Sequence, residues 1–353
     1  NSSTDALTIL KKINLMGLEI KDISIPKYER VIHATNKSTN LNCIVAIHNT
    51  KLGPALGGVR SWSYNNLEEQ LNDALQLSKA MSFKNSVCGI NFGGGKAVIN
   101  LKNVKKTPDL YESYGELVDQ LNNTYITAGD VGTSMEDLIS INKATKYVSG
   151  IKLETSAPTA KGIFIAMGTA LKFFNNKELN ESTVAISGVG KVGSKLSKLL
   201  FDKNANLIVS NIGRKSIDQL KKDKISFVES DINSIFEHRC DIISPCALGG
   251  VINSETKKKL KCKAIIGAAN NQLDNQETAL WLKEHNIFYA PDYLVNSGGV
   301  IAISCEINNS EDTLDDQLNK ISDKVLSLLN ESKKSSLSTD KIVEELAWQR
   351  INS

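Results

Sequence analysis

The stretch Val184-Ala185-Ile186-Ser187-Gly188-Val189-Gly190-Lys191-Val192-Gly193 decides the fold of the second half of this chain. Its β-branched start predicts a buried strand, and the Gly-x-Gly-x-x-Gly spacing leads into a helix that we expect to reach Leu200. In this context Gly188 makes the tight turn, Gly190 lets the backbone approach a diphosphate, and Gly193 lets the helix pack on the strand. The stretch therefore predicts a Rossmann βαβ unit, the alternative being a glycine-rich turn that binds no ligand.

The residues after this fingerprint indicate which dinucleotide is bound. Lys191 and Val192 fill its variable positions, and the next strand, 207–209, ends near Asn211. An acidic residue usually accepts a hydrogen bond from the ribose 2′-hydroxyl here. Asparagine can also bond that hydroxyl, but it lacks the charge that repels a 2′-phosphate, and Arg214 follows. We expect NAD as the cofactor, with NADP as an alternative.

Chain length and hydrophobic periodicity predict two domains with an α/β fold. The 353 residues are enough for two cores, and strands near 27–35 and 41–48 precede a helix near 67–81. Later strands near 241–243, 264–266 and 287–289 end in polar loops, which should face the cofactor through residues such as Ala247. We predict an N-terminal α+β domain at 1–150, a Rossmann domain at 151–325, and a C-terminal helical segment at 326–353 that could return to the first domain.

Three local predictions complete this scheme. A helix capped by Thr4-Asp5 should open the chain and end at Gly17. The segment 155–162 reads as a turn because Pro158 breaks helices, and the polar stretch 332–338 reads as a mobile linker.

Composition and charge exclude several classes of function. A formal net charge of +3 is too balanced for a nucleic-acid or membrane-surface protein, and no apolar stretch approaches the length of a membrane span. Six scattered cysteines without a C-x-x-C pair indicate reduced thiols, and four histidines lack metal-binding spacing. We therefore expect no metal and a cytoplasmic protein, or an organellar one that has been trimmed.

Two lysines suggest an active site in the first half. Lys84 lies 12 residues before Lys96, which ends an apparent glycine-rich turn, Gly93-Gly94-Gly95. Glycines there would let a ligand approach the backbone. One ammonium can hold a carboxylate while its charge pushes the other toward the neutral form. The alternative is a pair of solvated surface charges.

These residues belong to a series of motifs that resembles a known family. In chain order the motifs are Gly53–Gly58, Lys84, Gly93–Lys96, Tyr125–Thr133, Ala290–Tyr293 and Asn296–Gly299. They look like the leucine/phenylalanine/valine dehydrogenases of the amino-acid dehydrogenase superfamily over most of the chain. The resemblance implies that the N-terminal domain, 1–150, is the substrate-binding catalytic domain and that the Rossmann domain holds the nicotinamide cofactor. It also implies a cleft between the two domains that closes for hydride transfer.

The resemblance also implies roles for individual residues. Lys84 would bind the substrate carboxylate, Lys96 would polarise the 2-oxo oxygen and assist the attacking water, and Asp130 would relay protons to and from the substrate nitrogen. The alternative for Asp130 is a structural role, as the cap of the helix beginning near Ser134. By the same resemblance, Thr159 would contact the nicotinamide carboxamide, and Asn270 or Asn271 would lie near the nicotinamide and the substrate. Gly57 and Gly58 could form only a turn, but glycines there would also let the backbone approach a substrate carboxylate.

Two residues bear on which amino-acid side chain the enzyme would prefer. By the resemblance, Leu56 stands where the pocket for the substrate side chain begins, and an apolar residue there argues against glutamate as the substrate. Ala128 narrows the pocket relative to glycine and favours leucine, valine or isoleucine, while phenylalanine and tryptophan stay open. Departures from the family pattern at Gly95, Gly129 and Lys161 concern pocket shape more than chemistry.

The sequence thus predicts an NAD-dependent enzyme that reversibly deaminates an apolar L-amino acid, leucine-like by preference, to its 2-oxo acid and ammonia. An aromatic amino-acid dehydrogenase is the alternative within enzymes, and a non-catalytic cofactor-binding homologue the alternative outside them. Its partners are expected to be these small molecules and further copies of the chain, as a homo-oligomer.

Overall fold

A computed structural model of the chain describes residues 17–353. The predicted opening helix that begins at Thr4-Asp5 lies outside the described residues. The chain divides into two units. One comprises the residues up to Leu153 together with Arg350–Ser353, and the other is Glu154–Gln349.

The first unit is built on a mixed sheet with helices on both faces. Over the described range its strand order is β1-β2-β3-β6-β4-β7, with β5 beside β6. The strands are β1 (Leu18–Asp22), β2 (Arg30–Asn36), β3 (Leu41–Asn49), β4 (Ala55–Leu56), β5 (Val59–Trp62), β6 (Gly93–Asn100) and β7 (Tyr125–Ile126). The helices are α1 (Leu67–Cys88), α2 (Pro108–Gln120) and α3 (Met135–Ala144).

The central strands of this sheet are buried on both faces. Val45 and Ile47 face a core formed with α2 and α3, whereas Ile44 and Ala46 face a second core containing Ala74 of α1. Because neither face meets water, β3 reads as a continuous apolar run rather than an alternating one.

The glycines before Lys96 begin a strand, so the predicted glycine-rich turn is wrong. A Cβ on Gly93 would lie 2.0 Å from the backbone oxygen of Asn49, and one on Gly94 would lie 2.2 Å from the backbone nitrogen of Ser82. The protein's own backbone fills the space that these glycines leave open.

The second unit is a parallel sheet with the strand order β10-β9-β8-β11-β12-β13 in the part of the chain that the structure describes. The strands are β8 (Thr183–Ser187), β9 (Asn206–Ser210), β10 (Val228–Glu229), β11 (Ile242–Pro245), β12 (Ala264–Ile265) and β13 (Phe288–Tyr289). The helices are α4 (Ser156–Asn175), α5 (Lys191–Phe201), α6 (Arg214–Lys222), α7 (Gln276–Glu284), α8 (Asp292–Val295), α9 (Gly298–Ile307), α10 (Leu314–Lys334) and α11 (Thr339–Asn352), the end of which belongs to the first unit.

This strand order confirms the predicted α/β fold with a Rossmann domain. Successive strands run outward from β8 in one direction and then from β11 in the other, so the order reverses between these two strands. Ligands of doubly wound sheets bind at the carboxyl ends of the strands at such a switch point. The glycine fingerprint follows β8 directly.

Two local predictions in the second unit are wrong. The segment 155–162 is mostly helix, since α4 begins at Ser156 and contains Pro158 in its first turn. Proline is tolerated there because the first N–H groups of a helix have no partner within the helix. The polar stretch 332–338 is helical up to Lys334, and Ser338 is buried, which does not fit a mobile linker.

Candidate active site

The structure brings Lys96 and Asp130 together as an ion pair. Lys96 Nζ lies 2.8 Å from Asp130 Oδ2. The Lys96 side chain is only 6% exposed, whereas that of Asp130 is 23% exposed. The ammonium therefore sits inside the first unit, and the carboxylate reaches its surface.

Strand β5 sets the register of this pair. It runs beside β6, with Val59 opposite Ala97, the neighbour of Lys96. On its other side, the Val59 N–H donates to Ala128 O at 2.8 Å and the Ser61 N–H donates to Val131 O at 2.9 Å. The strand thus holds the segments that carry Lys96 and Asp130 by backbone hydrogen bonds.

Asp130 is not the cap of the following helix. The Ser134 hydroxyl accepts from the Asp137 N–H at the start of α3, and the Asp137 carboxylate accepts from the Ser134 N–H. This reciprocal capping box satisfies the helix N-terminus without Asp130. The alternative role of Asp130 as a helix cap is therefore wrong.

The charges around Asp130 keep it ionised. Burial alone would raise the pKa of its carboxyl, but the charge and hydrogen bond of Lys96, together with the charge of Arg60, lower it to about 2. At neutral pH this carboxylate can stabilise a cation, such as a substrate ammonium, placed beside it.

Arg60 is the neighbour that sequence reasoning missed. Its Nε donates to Asp130 Oδ2 at 3.1 Å. The signal in the sequence was a charged residue between Val59 and Ser61, which are both buried strand residues. Buried charges in a strand are rare unless they are paired.

Gly57 and Gly58 pack against Gly95 and Gly129, the residues that precede Lys96 and Asp130. A Cβ on Gly57 would lie 1.7 Å from Gly95 O, and one on Gly58 would lie 2.5 Å from Gly129 O. The Tyr125 hydroxyl donates to Gly57 O at 2.6 Å. These glycines are required by close packing of the protein's own backbone next to Lys96 and Asp130.

Lys84 lies on α1 in a segment that is tied to the same strands. It is half-buried, and the adjacent Asn85 is fully buried. The Asn85 amide donates to Gly93 O at 2.6 Å and to Leu56 O at 3.4 Å. These bonds tie the part of α1 that carries Lys84 to β4 and to β6, the strand that carries Lys96.

The two residues expected to shape the substrate pocket lie in the interior of the first unit. Leu56 and Ala128 are 1% and 2% exposed. Leu56 pairs with Ile126 of β7, two residues before Ala128. The side chains of Leu56 and Ala128 are therefore both close to the segment that ends in Asp130.

The glycine fingerprint of the second unit has room for a diphosphate. Gly188 has φ +101, which favours glycine, and its Cβ would lie 2.5 Å from the Cβ of Ala247. A Cβ on Gly193 would lie 2.1 Å from Gly188 O, but one on Gly190 would meet nothing within 4 Å. The fold explains the first and last glycines, and the open space at Gly190 fits a bound phosphate at the α5 N-terminus, where Lys191 and Val192 begin the helix.

The residues expected at the ribose are engaged within the protein. Asn211 Oδ1 accepts from the Val189 N–H at 3.0 Å, and its Nδ2 donates to Gly213 O at 2.7 Å. Arg214 forms ion pairs with Asp218 and Glu229. Asn211 thus braces the fingerprint loop, and the charge of Arg214 is already balanced by carboxylates.

The remaining expected cofactor contacts have local partners in the second unit. The Thr159 hydroxyl, in the first turn of α4, donates to Thr155 O at 2.8 Å. Asn270 Oδ1 accepts from Asn296 Nδ2 at 2.7 Å, and the Asn271 N–H donates to Asp292 Oδ2 at 2.8 Å. Asn296 and Asp292 come from two of the quoted motifs and orient the loop, a role that the sequence did not indicate.

Residues 17–353 contain neither a metal-binding cluster nor a membrane-crossing helix. Within that range no group of three or more His, Cys, Asp or Glu side chains is arranged to hold a metal ion. No helix in the same range combines the length and apolar character that a membrane crossing requires.

Comparison with known proteins gives consistent matches along the chain. The family model described as Glu/Leu/Phe/Val dehydrogenase, dimerisation domain, matches residues 27–147, and that described as Glutamate/Leucine/Phenylalanine/Valine dehydrogenase matches residues 207–346. The chain is 38% identical to leucine dehydrogenase of Thermoactinomyces intermedius over 92% of this chain and 91% of the relative. It is 38% identical to phenylalanine dehydrogenase of Lysinibacillus sphaericus, over 84% and 81%.

A solved structure is similar over nearly its full length. L-tryptophan dehydrogenase from Nostoc punctiforme superposes with a TM-score of 0.82 and 36% identity, covering 92% of this chain and 96% of that one.

The Lys96–Asp130 pair predicts how stability depends on pH. Because the folded-state pKa of Asp130 is about 2 and its ordinary value is 3.8, the ionised carboxylate contributes stability above about pH 4 that is lost as the pH falls toward 2. Asp130→Asn should therefore lower the free energy of unfolding at pH 7 by about 2 kcal/mol. Urea unfolding of both proteins should show this difference shrinking between about pH 4 and pH 2, and a difference that stays constant would contradict the ion pair.

The fingerprint glycines predict two separable phenotypes. Gly193→Ala should lower the free energy of unfolding by about 1–3 kcal/mol, since its Cβ would overlap Gly188 O. Gly190→Ala should change it by less than about 0.5 kcal/mol but raise the dissociation constant of the dinucleotide at least about tenfold. Urea unfolding and calorimetric titration measure the two effects, and unchanged binding by Gly190→Ala would count against the phosphate site.

Proposed function

This chain belongs to the glutamate/leucine/phenylalanine/valine dehydrogenase family, and we propose that it reversibly deaminates an apolar L-amino acid to its 2-oxo acid and ammonia, with NAD supplying the hydride acceptor. The first unit would bind the amino acid, and the second unit the dinucleotide. The observation that carries this proposal is the Lys96–Asp130 ion pair beside the Gly57-Gly58 backbone.

The two members of this pair have complementary tasks in the proposed reaction. Lys96 is a donor to the oxygen that forms at the substrate C2 carbon, and it assists the water that attacks there. Asp130, as a carboxylate, accepts and returns protons of the substrate nitrogen. The 2.8 Å contact between Lys96 Nζ and Asp130 Oδ2 supports direct proton exchange between the two groups.

Lys84 would hold the substrate carboxylate in this scheme. An ammonium on α1 is suited to that task because a carboxylate gains a charge-assisted hydrogen bond from it. Its neighbour Asn85 fixes this part of the helix against Gly93 and Leu56, which supports a defined position for the lysine.

The substrate side chain would be apolar and leucine-like. Leu56 and Ala128 are apolar and interior, so a charged side chain beside them would lose hydration without gaining a partner. The relatives named above are leucine, phenylalanine and tryptophan dehydrogenases, which supports an apolar substrate. A ring-bearing substrate is the second candidate, favoured by the structural likeness to the tryptophan enzyme.

The dinucleotide would be held by the fingerprint loop of the second unit. Gly190, Lys191 and Val192 would face the diphosphate, Gly188 and Gly193 would give the loop its turn and its packing on the helix, and Asn211 would lie near the ribose. Thr159, Ala247, Asn270 and Asn271 would border the rest of the cofactor.

We also propose a homo-oligomer. The family model that matches residues 27–147 is described as a dimerisation domain. This part of the chain exposes large apolar side chains that a second copy could cover, namely Trp62, Leu67, Val131, Met135 and Ile139. The cytoplasmic location stays a prediction from composition.

The reaction is tested by offering 2-oxo acids with ammonia and following the absorbance of reduced cofactor. The 2-oxo acid of leucine should give a kcat/KM at least about tenfold above that of pyruvate, because each buried methylene adds about 0.8 kcal/mol. If only ring-bearing 2-oxo acids respond, the aromatic alternative replaces the leucine-like preference.

Variants of two lysines separate an enzyme from a non-catalytic homologue. Lys96→Ala should lose at least about a hundredfold in kcat while it still binds the dinucleotide. Lys102→Ala, which removes an exposed lysine just after the same strand, should keep parental activity. Equal activity of Lys96→Ala and the parent would favour the non-catalytic alternative.

Cofactor choice is tested by comparing NAD with NADP. Because Glu229 and Asp218 balance the charge of Arg214, we expect NAD to be preferred by about 10- to 1000-fold in kcat/KM. Glu229→Gln should lower this ratio by releasing Arg214 for a 2′-phosphate. A preference for NAD beyond about a thousandfold, or roughly 4 kcal/mol, would show that Asn211 and Arg214 relax nothing.

A further inference from the structure

The guanidinium of Arg60 lies between two carboxylates. Its Nε donates to Asp130 Oδ2 at 3.1 Å. Its Nη1 donates to both oxygens of Asp73 on α1, at 3.3 and 3.2 Å. The Tyr64 hydroxyl in turn donates to Asp73 Oδ2 at 2.6 Å. A continuous polar chain therefore runs from Tyr64 through Asp73 and Arg60 to Asp130.

Backbone hydrogen bonds fix where this guanidinium stands. The N–H groups of Val59 and Ser61, on either side of Arg60, bond to carbonyls on either side of Asp130. Arg60 is thus in register with Asp130. A planar guanidinium bonded at two edges has little freedom to rotate, whereas a lysine ammonium is a point charge on a flexible stem and lacks a fixed fork of donors.

Lys96 and Arg60 meet the same oxygen of Asp130. Lys96 Nζ and Arg60 Nε both lie within 3.1 Å of Oδ2. Two donors converging on one oxygen from different strands fix the plane of the carboxylate and with it the direction of the second oxygen. The orientation matters because a reacting group displaced by about 1 Å can lower the reaction rate about a hundredfold.

We propose that Arg60, anchored by Asp73, is a positioning residue that holds the Asp130 carboxylate in one orientation for proton exchange with the substrate nitrogen. This inference rests on the proposed function, in which Asp130 exchanges those protons. Arg60 acts through Asp130 and is not assigned a contact with the substrate.

The charged and titratable groups around Asp130 determine how removal of Arg60 changes the pKa of its carboxyl. Lys96 approaches from β6 and Arg60 from β5, Asp73 stands behind Arg60 on α1, and the hydroxyls of Tyr64 and Tyr125 lie in the same surroundings. Loss of the Arg60 charge leaves Lys96 as the remaining cation among these groups. The pKa of Asp130 should then rise while the pair with Lys96 stays in place.

The test uses Arg60→Lys, Asp73→Asn and the control Arg30→Lys. Arg30, also in the first unit, donates two hydrogen bonds to the carboxylate of Asp22, but this pair is exposed. Arg60→Lys should lower kcat about 10- to 100-fold with the KM for the amino acid within about threefold, because positioning acts on the reacting groups. Asp73→Asn should give a smaller loss, and Arg30→Lys none.

Two further readouts distinguish positioning from a structural role. The solvent deuterium isotope effect on kcat should increase in Arg60→Lys, because proton exchange becomes rate-limiting. Added guanidinium, at a concentration that leaves the parent unaffected, should restore part of kcat to Arg60→Ala. Parental kcat in Arg60→Lys, or a loss without any change in isotope effect and without rescue, would overturn the proposal.

A measurement without turnover keeps this proposal separate from the proposed reaction. The carboxyl carbon resonance of Asp130, assigned by its absence in Asp130→Asn, should stay at its ionised position down to about pH 3.5 in the parent and begin to titrate at higher pH in Arg60→Met. If the parent reduces no 2-oxo acid, the proposed function fails, and this titration still decides the role of Arg60. Identical titrations in the two proteins would end it.

Discussion

The ion pair between Lys96 and Asp130 is the interaction on which the proposed chemistry of the first unit depends. One member is almost fully buried and the other reaches the surface, so the pair connects the interior of the first unit to its surface. A buried ammonium without a partner would be costly, which makes the carboxylate as necessary for the fold as for a reaction. Strand β5 secures both, because its backbone bonds to the segments on either side.

Close backbone packing explains most of the glycines in the motifs. Gly57, Gly58, Gly93 and Gly94 each stand where a Cβ would overlap another part of the main chain. Gly190 differs, since a Cβ there would meet open space. A glycine that the fold itself does not require is the stronger indication of a ligand, and in this chain it lies at the N-terminus of the helix that follows β8.

Sequence periodicity was most reliable where elements are long and punctuated by good start signals. The helix expected near 67–81 and the strand before Gly188 appear as expected. Errors arose at Pro158 and at Gly93, where a residue type has two opposite meanings. Proline breaks a helix interior but suits its first turn, and glycines can mark a turn or a strand that packs tightly against its neighbours. Only the surroundings of each residue separate these meanings.

The sequence by itself determined the fold class, the family likeness, the glycine fingerprint and the identity of the charged groups that the proposed reaction uses, because these follow from local spacing and residue type. Only the tertiary structure decided that Asp130 pairs with Lys96 instead of capping a helix, that Arg60 and Asp73 stand behind it, and that Asn211 and Arg214 already have partners within the second unit. The physical reason is that strand register and long-range packing choose which side chains meet, and neither is encoded in any short stretch of the chain.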